Sequence, residues 1–321
     1  MGNLREHDVH SAVIAQLGFM PGAVHYAGKG SGVPYGFLRD DRRIPASRLH
    51  TSIVDAYDAA GRQNGNNNVI VLTPDSHSQA AALTFNKNMT HLVGAYPAAM
   101  MNLRSRIGHS DDFDALLTLS GYGNLLQNLY FMHGRGSATN LHCMEITGDR
   151  NTLKNVHLGG PMNQTEADTA GYSVLELTGA KETYLKDCVL GIETMERGAA
   201  NTILRLGADS SRNIFENCLF LSMADANTPY FIEILVGLTY GWTLFKNCLF
   251  INHSTSWGSD LTVAVKQSST NHRLIFDSKC AMFGVTDVVA EADEAEMWIA
   301  AVPYAAAAVG NLLKVTPDHT A

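Results

Sequence analysis

The chain has 321 residues, a formal net charge of −8, 45% hydrophobic residues and only 17% charged residues. Its composition does not break along its length, which excludes an obvious two-domain division and suits a solenoid, where each repeat touches only its neighbours. The acidic balance and the lack of a strongly basic face argue against a nucleic-acid partner, and no apolar run reaches the length of a membrane-crossing helix.

Residues 1–45 show no repeat and carry scattered Gly and Pro, so they read as an extended N-terminal arm. Val13, Ile14, Leu17, Phe19, Met20, Tyr35, Phe37 and Leu38 form apolar patches within it. Such patches are a liability in water. The expectation is an assembly arm ordered by contact with partner subunits. The basic stretch 29–48 is interrupted by Asp40 and Asp41 and reads as a solvated loop. The first ten residues have mixed charge and no secretory pattern. Residues 22–30 are not a phosphate-binding loop, because the Gly22–Gly28 spacing is one residue too long and Gly30 follows Lys29. Residues 51–61 read as a short amphipathic capping helix. Thr51 or Ser52 serves as N-cap, Gly61 as the stop, and Ile53, Ala56, Tyr57 and Ala60 share one face. A first strand follows at 69–72.

The repeat then begins. Its copies are Leu126-Gln127-Asn128-Leu129-Tyr130-Phe131, Leu153-Lys154-Asn155-Val156-His157-Leu158, Leu185-Lys186-Asp187-Cys188-Val189-Leu190, Phe215-Glu216-Asn217-Cys218-Leu219-Phe220 and Phe245-Lys246-Asn247-Cys248-Leu249-Phe250, with a degraded copy at Ile275-Phe276-Asp277-Ser278-Lys279-Cys280. The Asn/Asp positions are spaced 27, 32, 30, 30 and 30 residues apart. A fixed period of this size marks a solenoid. A second β-rich run precedes most copies, near 116–119, 143–146, 174–177, 203–206, 232–235 and 261–265. No repeat offers a helix-length segment with a 3.6-residue period. The fold expected is therefore all-β: a parallel β-helix with coils of about thirty residues, spanning 46–284.

Each recurring element has a physical reading. Asn128, Asn155, Asp187, Asn217, Asn247 and Asp277 are corner residues, since Asn and Asp tolerate the left-handed region and bond nearby backbone. Stacked one strand spacing apart, they form a structural ladder along one edge. Cys188, Cys218 and Cys248 share one repeat position and read as a core stack of small apolar side chains. Phe215 and Phe245, with Phe220 and Phe250, form an aromatic stack. The five cysteines show no paired or metal-binding spacing. Residues 285–321 are acidic and then alanine-rich, and are expected to leave the coil pattern as a C-terminal cap and tail, with a last strand near 312–315.

Three segments, Gly22-Ala23-Val24-His25-Tyr26-Ala27-Gly28, Arg48-Leu49-His50-Thr51-Ser52-Ile53-Val54-Asp55-Ala56 and Asn68-Val69-Ile70-Val71-Leu72-Thr73-Pro74-Asp75-Ser76-His77, together resemble the opening of right-handed β-helix virion proteins of tailed bacteriophages. Asp75 replaces the Gly of that pattern, and Leu92-Val93-Gly94 resembles its next strand. The resemblance covers about the first hundred residues. It implies a right-handed solenoid and a structural virion role, with sister subunits in a homotrimer and a major capsid protein or other virion proteins as partners.

The chemistry of the repeats offers no catalytic constellation, cofactor site or metal site. Acidic residues are single and scattered. Glu145, Glu176 and Arg205 fall at equivalent positions of successive coils and read as a solvated strand face. His109-Ser110-Asp111-Asp112 pairs acids with a histidine but lacks a second element at the right spacing. The reading is a head decoration or cement protein of a phage virion. The alternatives are a tailspike-like polysaccharide lyase or glycoside hydrolase, and a non-catalytic tail-fibre or glycan-binding module.

Overall fold

The computed structural model describes residues 21–40, 44–61, 67–95, 105–136, 139, 141–235, 241–253, 259–268 and 271–289, with the backbone of three short strands beyond them. The chain is a parallel β-solenoid. Residues pair with their equivalents one coil on, as in Phe215↔Phe245, a step of thirty residues.

One sheet has eight strands among the described residues, from Leu83–Phe85 through Ala115–Leu119, His142–Ile146, Ser173–Leu177, Thr202–Leu206, Tyr230–Ile234 and Leu261–Gln267 to Val285–Val289. The other sheet is creased along its length. Leu125–Met132 and Thr152–Gly159 run through the crease, whereas later coils break there, as in Tyr184–Lys186 with Val189–Gly191 and Asn213–Glu216 with Leu219–Ser222. The crease is the Asn/Asp corner. Asn128, Asn155, Asp187, Asn217 and Asn247 all have φ between 51° and 57°, a region that costs most L-residues about 1–2 kcal/mol and Asn and Asp less.

The interior is built of columns, one residue per coil. Leu153, Leu185, Phe215, Phe245 and Phe276 form one, and Leu158, Leu190, Phe220, Phe250 and Met282 another, all fully buried. The rings stack along the axis: Phe215 on Phe245 at 5.1 Å, Phe245 on Phe276 at 4.8 Å and Phe220 on Phe250 at 4.3 Å between centroids. Burial of each such side chain stabilises by about 1.5–3 kcal/mol, and each ring pair adds roughly 0.5–1.5 kcal/mol.

The first coil is covered by the helix Ile53–Ala60, capped by Ser52, whose hydroxyl accepts from the Asp55 amide at 3.0 Å. Ile53, Ala56, Tyr57 and Ala60 are its buried residues. Tyr57 stacks on Phe85 at 4.2 Å, and its hydroxyl accepts from the Lys87 amide at 2.6 Å. The helix therefore closes the open end of the core.

Two boundaries and one ladder residue differ from the sequence reading. The N-terminal segment is not wholly an arm. Val24–Ala27 pairs in parallel with the strand Asn68–Leu72, and Tyr26 packs with Val69, Val71 and Val93. Tyr35, Phe37 and Leu38 lie in a helix, Val33–Asp40, and Leu38 packs on that Tyr26 cluster. The apolar residues that suggested an unattached arm are thus partly consumed by the solenoid. Val13, Ile14, Leu17, Phe19 and Met20 lie outside the described residues. At the other end the coil continues past 284. Val285–Val289 extends the eight-stranded sheet, with Val285, Val288 and Val289 buried and Asp287 half-buried. Met297–Ile299 pairs with the strand His272–Phe276, and Lys314–Thr316 with Ala281–Phe283. The acidic composition had hidden this β-pattern.

Asp277 is the third correction. Phe245 pairs with Phe276 and Leu249 with Ala281, so the last coil carries one extra residue at its corner. Asp277 does not take the left-handed corner position. Its carboxylate instead accepts from the amides of Asn247 at 3.0 Å and Lys279 at 3.1 Å. A thirty-residue period cannot by itself reveal a one-residue slip when both Ile275 and Phe276 are apolar.

Candidate functional site: the charged face of the eight-stranded sheet

On the outer face of the eight-stranded sheet, register places Thr118, Glu145, Glu176, Arg205, Glu233 and Lys266 in one column. Strand alternation turns them out while Leu117, Met144, Leu175, Leu204, Ile232 and Val265 turn in. Glu176 accepts from Thr178 Oγ1 at 2.8 Å and lies 3.3 Å from His142 Nε2 and 3.4 Å from Arg205 Nη1. Arg205 Nε donates to Glu233 at 3.0 Å, and Lys266 Nζ donates to the other oxygen of Glu233 at 2.9 Å. These groups are not a solvated face. The side chains of Glu176, Arg205 and Glu233 are 14%, 9% and 10% exposed, because neighbours one strand spacing away shield each other.

Glu145 stands apart at the end of this network. Its polar contact is the Thr118 hydroxyl at 3.5 Å. Burial raises its pKa above 4.5, with the charges of Glu176 and Asp114 adding to the rise and the Thr118 hydroxyl opposing it. Burial also lowers the pKa of His142, against the pull of Glu176 and Asp114. The face therefore holds two carboxylates in contrasting surroundings. One is paired with Arg205, and burial raises the pKa of the other.

His109 is committed elsewhere. Its Nε2 accepts from the Gly134 amide at 2.8 Å, so Nδ1 carries the proton donated to the Asp111 carbonyl at 2.8 Å. Asp111 and Asp112 are exposed, and the Asp111 side chain accepts from the Asp112 amide. The histidine is a loop fastener, with neither ring nitrogen available to a substrate.

The corner ladder is assembled by direct bonds. Asn155 Nδ2 donates to Asn128 Oδ1 at 2.8 Å, Asn217 Nδ2 to Asp187 Oδ1 at 3.0 Å, and Asn247 Nδ2 to Asn217 Oδ1 at 2.9 Å. Each rung donates toward the N-terminal side. Asp187 has no side-chain proton to pass on to Asn155 when ionised, and its carboxylate starts the second run. Cys188, Cys218 and Cys248 are buried and free, as are Cys143 and Cys280. The Cys188 thiol donates to Leu153 O, Cys218 to Leu185 O and Cys248 to Phe215 O, at 3.4, 3.7 and 3.4 Å, which ties each coil to the one before. Burial pushes the Cys143 and Cys218 thiols up.

Sequence reasoning missed two polar systems. The first is an inner ladder at Asn124, Asn151, Thr183, Asn213 and Thr243, each four residues before a corner residue and buried. Asn151 Oδ1 accepts from the Asn124 amide and Asn213 Oδ1 from the Thr183 amide, both at 2.9 Å. Its spacing equals that of the corner ladder and was legible. The second is a buried loop cluster. Glu166 Oε1 accepts from the amides of Arg135 and Gly136 at 2.7 and 3.2 Å. Arg197 donates to Asn201 Oδ1 at 2.7 Å and Thr202 O at 2.8 Å. Burial lowers the Arg197 pKa to about 10, so it stays charged at neutral pH. No local signal marks these two residues, whose neighbours read as exposed loop.

Among the described residues no group of three or more His, Cys, Asp or Glu is placed to hold a metal ion, and no helix is long and apolar enough to cross a membrane.

The fold defines the class: a parallel β-solenoid of the kind found in pectate lyases. The pectate lyase Pel9A superposes with a TM-score of 0.56 at 12% identity, over 84% of this chain and 65% of that one. The chain thus spans just under two thirds of that lyase. A pectin methylesterase from Aspergillus niger gives a TM-score of 0.49 at 13% identity, over 93% of this chain and 85% of that one. The ORF18 protein of Geobacillus virus E2 gives 0.44 at 12% identity, over 74% and 56%. The likeness to Pel9A shows the fold alone. No protein-family profile and no curated protein sequence matches the chain.

Proposed function

We propose that the chain is a structural protein of a bacteriophage virion, most simply a head decoration or cement protein acting as a homotrimer. The observation that carries the reading is the way the solenoid neutralises its own flanks. Three columns alternate in sign from coil to coil: Arg150, Glu182 and Arg212; Lys186, Glu216 and Lys246; and Glu176, Arg205, Glu233 and Lys266. Such columns stiffen a rod by pairing opposite charges one strand spacing apart. The N-terminal resemblance to β-helix virion proteins supports the same reading, as do the apolar residues Val13, Ile14, Leu17, Phe19 and Met20.

The test is attachment. The full chain and a form lacking residues 1–20 are mixed with purified empty heads of the phage that encodes it, and sedimented. The cut spares Gly22, whose amide bonds Asn67 O, and the strand Val24–Ala27. The full chain should co-sediment. The truncated form should keep its circular dichroism and lose attachment. Failure of the full chain to bind heads, or full occupancy by the truncated form, overturns the proposal.

One observation favours a second reading, a polysaccharide-degrading enzyme. Glu145 and Glu176 lie on adjacent coils, Glu145 with its pKa raised by burial and Glu176 beside Arg205, and an acid–base pair needs two carboxyl groups in contrasting surroundings. Steady release of reducing ends from a host polysaccharide, lost in Glu145→Gln, would establish it.

A further inference from the structure

The corner between the eight-stranded sheet and the creased sheet carries the Arg150, Glu182 and Arg212 column, extended at both ends by aromatic positions that the virion reading does not use. Register at this corner aligns Gly123, Arg150, Glu182, Arg212, Trp242 and Arg273, one per coil. Tyr122, 46% exposed, stands beside the first of these. The two aromatic positions each sit in an open cleft. The Tyr122 cleft measures about 380 Å³ and is lined by Ser120, Thr147, Gly148, Asp149, Arg150 and Gly179. The Trp242 cleft measures about 410 Å³ and is lined by Ser211, Arg212, Gly241, Asn271 and Arg273.

The sequence opens these clefts. Gly148 approaches the Gly121 carbonyl so closely that a Cβ would collide with it, and at Gly241 a Cβ would meet the Ser211 side chain. Larger residues at these two positions would push the coils apart or fill the floor. Between the clefts, Glu182 bridges Arg150 at 2.7 Å and Arg212 at 3.1 Å. That bridge holds both guanidinium groups on this edge.

We infer that this corner binds an acidic oligosaccharide lying along the solenoid axis, with one sugar on Tyr122, another on Trp242 and its carboxylates on Arg212 and Arg273. The chemistry is specific in three respects. Tyr and Trp give large, rigid, amphipathic surfaces at low entropic cost, which suit the C–H face of a sugar ring. Arginine meets a carboxylate with two parallel hydrogen bonds, and Trp242 has an arginine on the coil before it and another on the coil after. The chain as a whole carries −8, yet this edge sets the four basic residues Arg150, Lys181, Arg212 and Arg273 against the three acidic residues Asp149, Glu182 and Asp209, so its local balance favours an acidic ligand. Four coil steps separate the two clefts, roughly 19 Å at one strand spacing per step. A monosaccharide cannot span that distance, whereas an extended oligosaccharide can. The site is independent of where the protein sits on a particle.

The test is titration of the full chain with hexasaccharides of alginate and hyaluronan, and with neutral maltohexaose, read by calorimetry and by saturation-transfer NMR. An acidic hexamer should bind, and maltohexaose should bind at least tenfold more weakly. Trp242→Ala and Tyr122→Ala should each weaken the acidic hexamer tenfold or more. Arg273→Gln, which leaves both rings in place, should erase the preference for acid over neutral sugar, and circular dichroism should be unchanged in all three. Absence of binding by both acidic hexamers overturns the inference, as does binding that survives both aromatic substitutions or a neutral sugar that binds as well as the acidic ones.

Discussion

Asn217 and Asn213 lie four residues apart in one coil and should respond oppositely to the same pair of substitutions. Asn217 has φ of 54° and makes two side-chain bonds, to Asp187 and from Asn247. Asn217→Ala loses both bonds and forces alanine into the left-handed region. At about 0.5–1.5 kcal/mol per bond, in the lower half because the site is exposed, plus roughly 1–2 kcal/mol for the backbone, the loss should be about 2–4 kcal/mol. Asn217→Gly loses the same bonds but not the backbone preference, so it should cost about 1–2 kcal/mol. Asn213 has no positive φ, and its Oδ1 satisfies the buried Thr183 amide while its Nδ2 donates to Ala180 O at 3.3 Å. Either substitution there strands buried backbone groups at about 1–3 kcal/mol, and glycine adds about 0.5–1 kcal/mol of backbone entropy in a strand. The measurement is chemical denaturation followed by circular dichroism, with midpoints compared at equal slope, since a solenoid can lose coils separately. Alanine should be worse than glycine at 217, and glycine worse than alanine at 213. Equal effects of the two residues at 217 would mean that the left-handed corner does not govern the choice of Asn.

The other predictions concern the charged face and the thiols. Arg205→Met should destabilise by about 3–5 kcal/mol, because it leaves Glu176 and Glu233 facing each other with little solvent, while Arg205→Lys should cost less; a loss under 1 kcal/mol for the Met variant, by the same denaturation assay, would show that the column is solvated after all. Glu145 has a folded pKa raised above 4.5, so its contribution to stability is fully present below pH 4.5 and is lost as pH rises through the raised value. Glu145→Gln should therefore stabilise at neutral pH and flatten stability against pH above 4.5, and thermal melts across pH 4–8 would reveal any failure of this sign. Cys188, Cys218 and Cys248 should resist a thiol reagent in the native protein and react fully in denaturant, and stoichiometric labelling without denaturant would contradict their packing.

Much of this architecture is local chemistry repeated, which is why it was legible in residues alone. Asn at a recurring corner reports a left-handed backbone, Ser52 and Gly61 bracket a helix, and Cys188, Cys218 and Cys248 share a repeat position because they share a column. Each signal lies within a few residues of its cause. What only the tertiary structure decided is non-local. Val24–Ala27 becomes a rung of the solenoid through pairing with Asn68–Leu72, more than forty residues on. Asp277 leaves the ladder through a single extra residue that a period of thirty does not resolve. Glu166 and Arg197 are buried only because loops from different coils close over them, and Glu145 and Glu176 acquire contrasting environments only when coils stack at one strand spacing. Burial and register are properties of the stack. A charged side chain reads as solvent-facing in sequence until the neighbouring coil determines how much water it keeps.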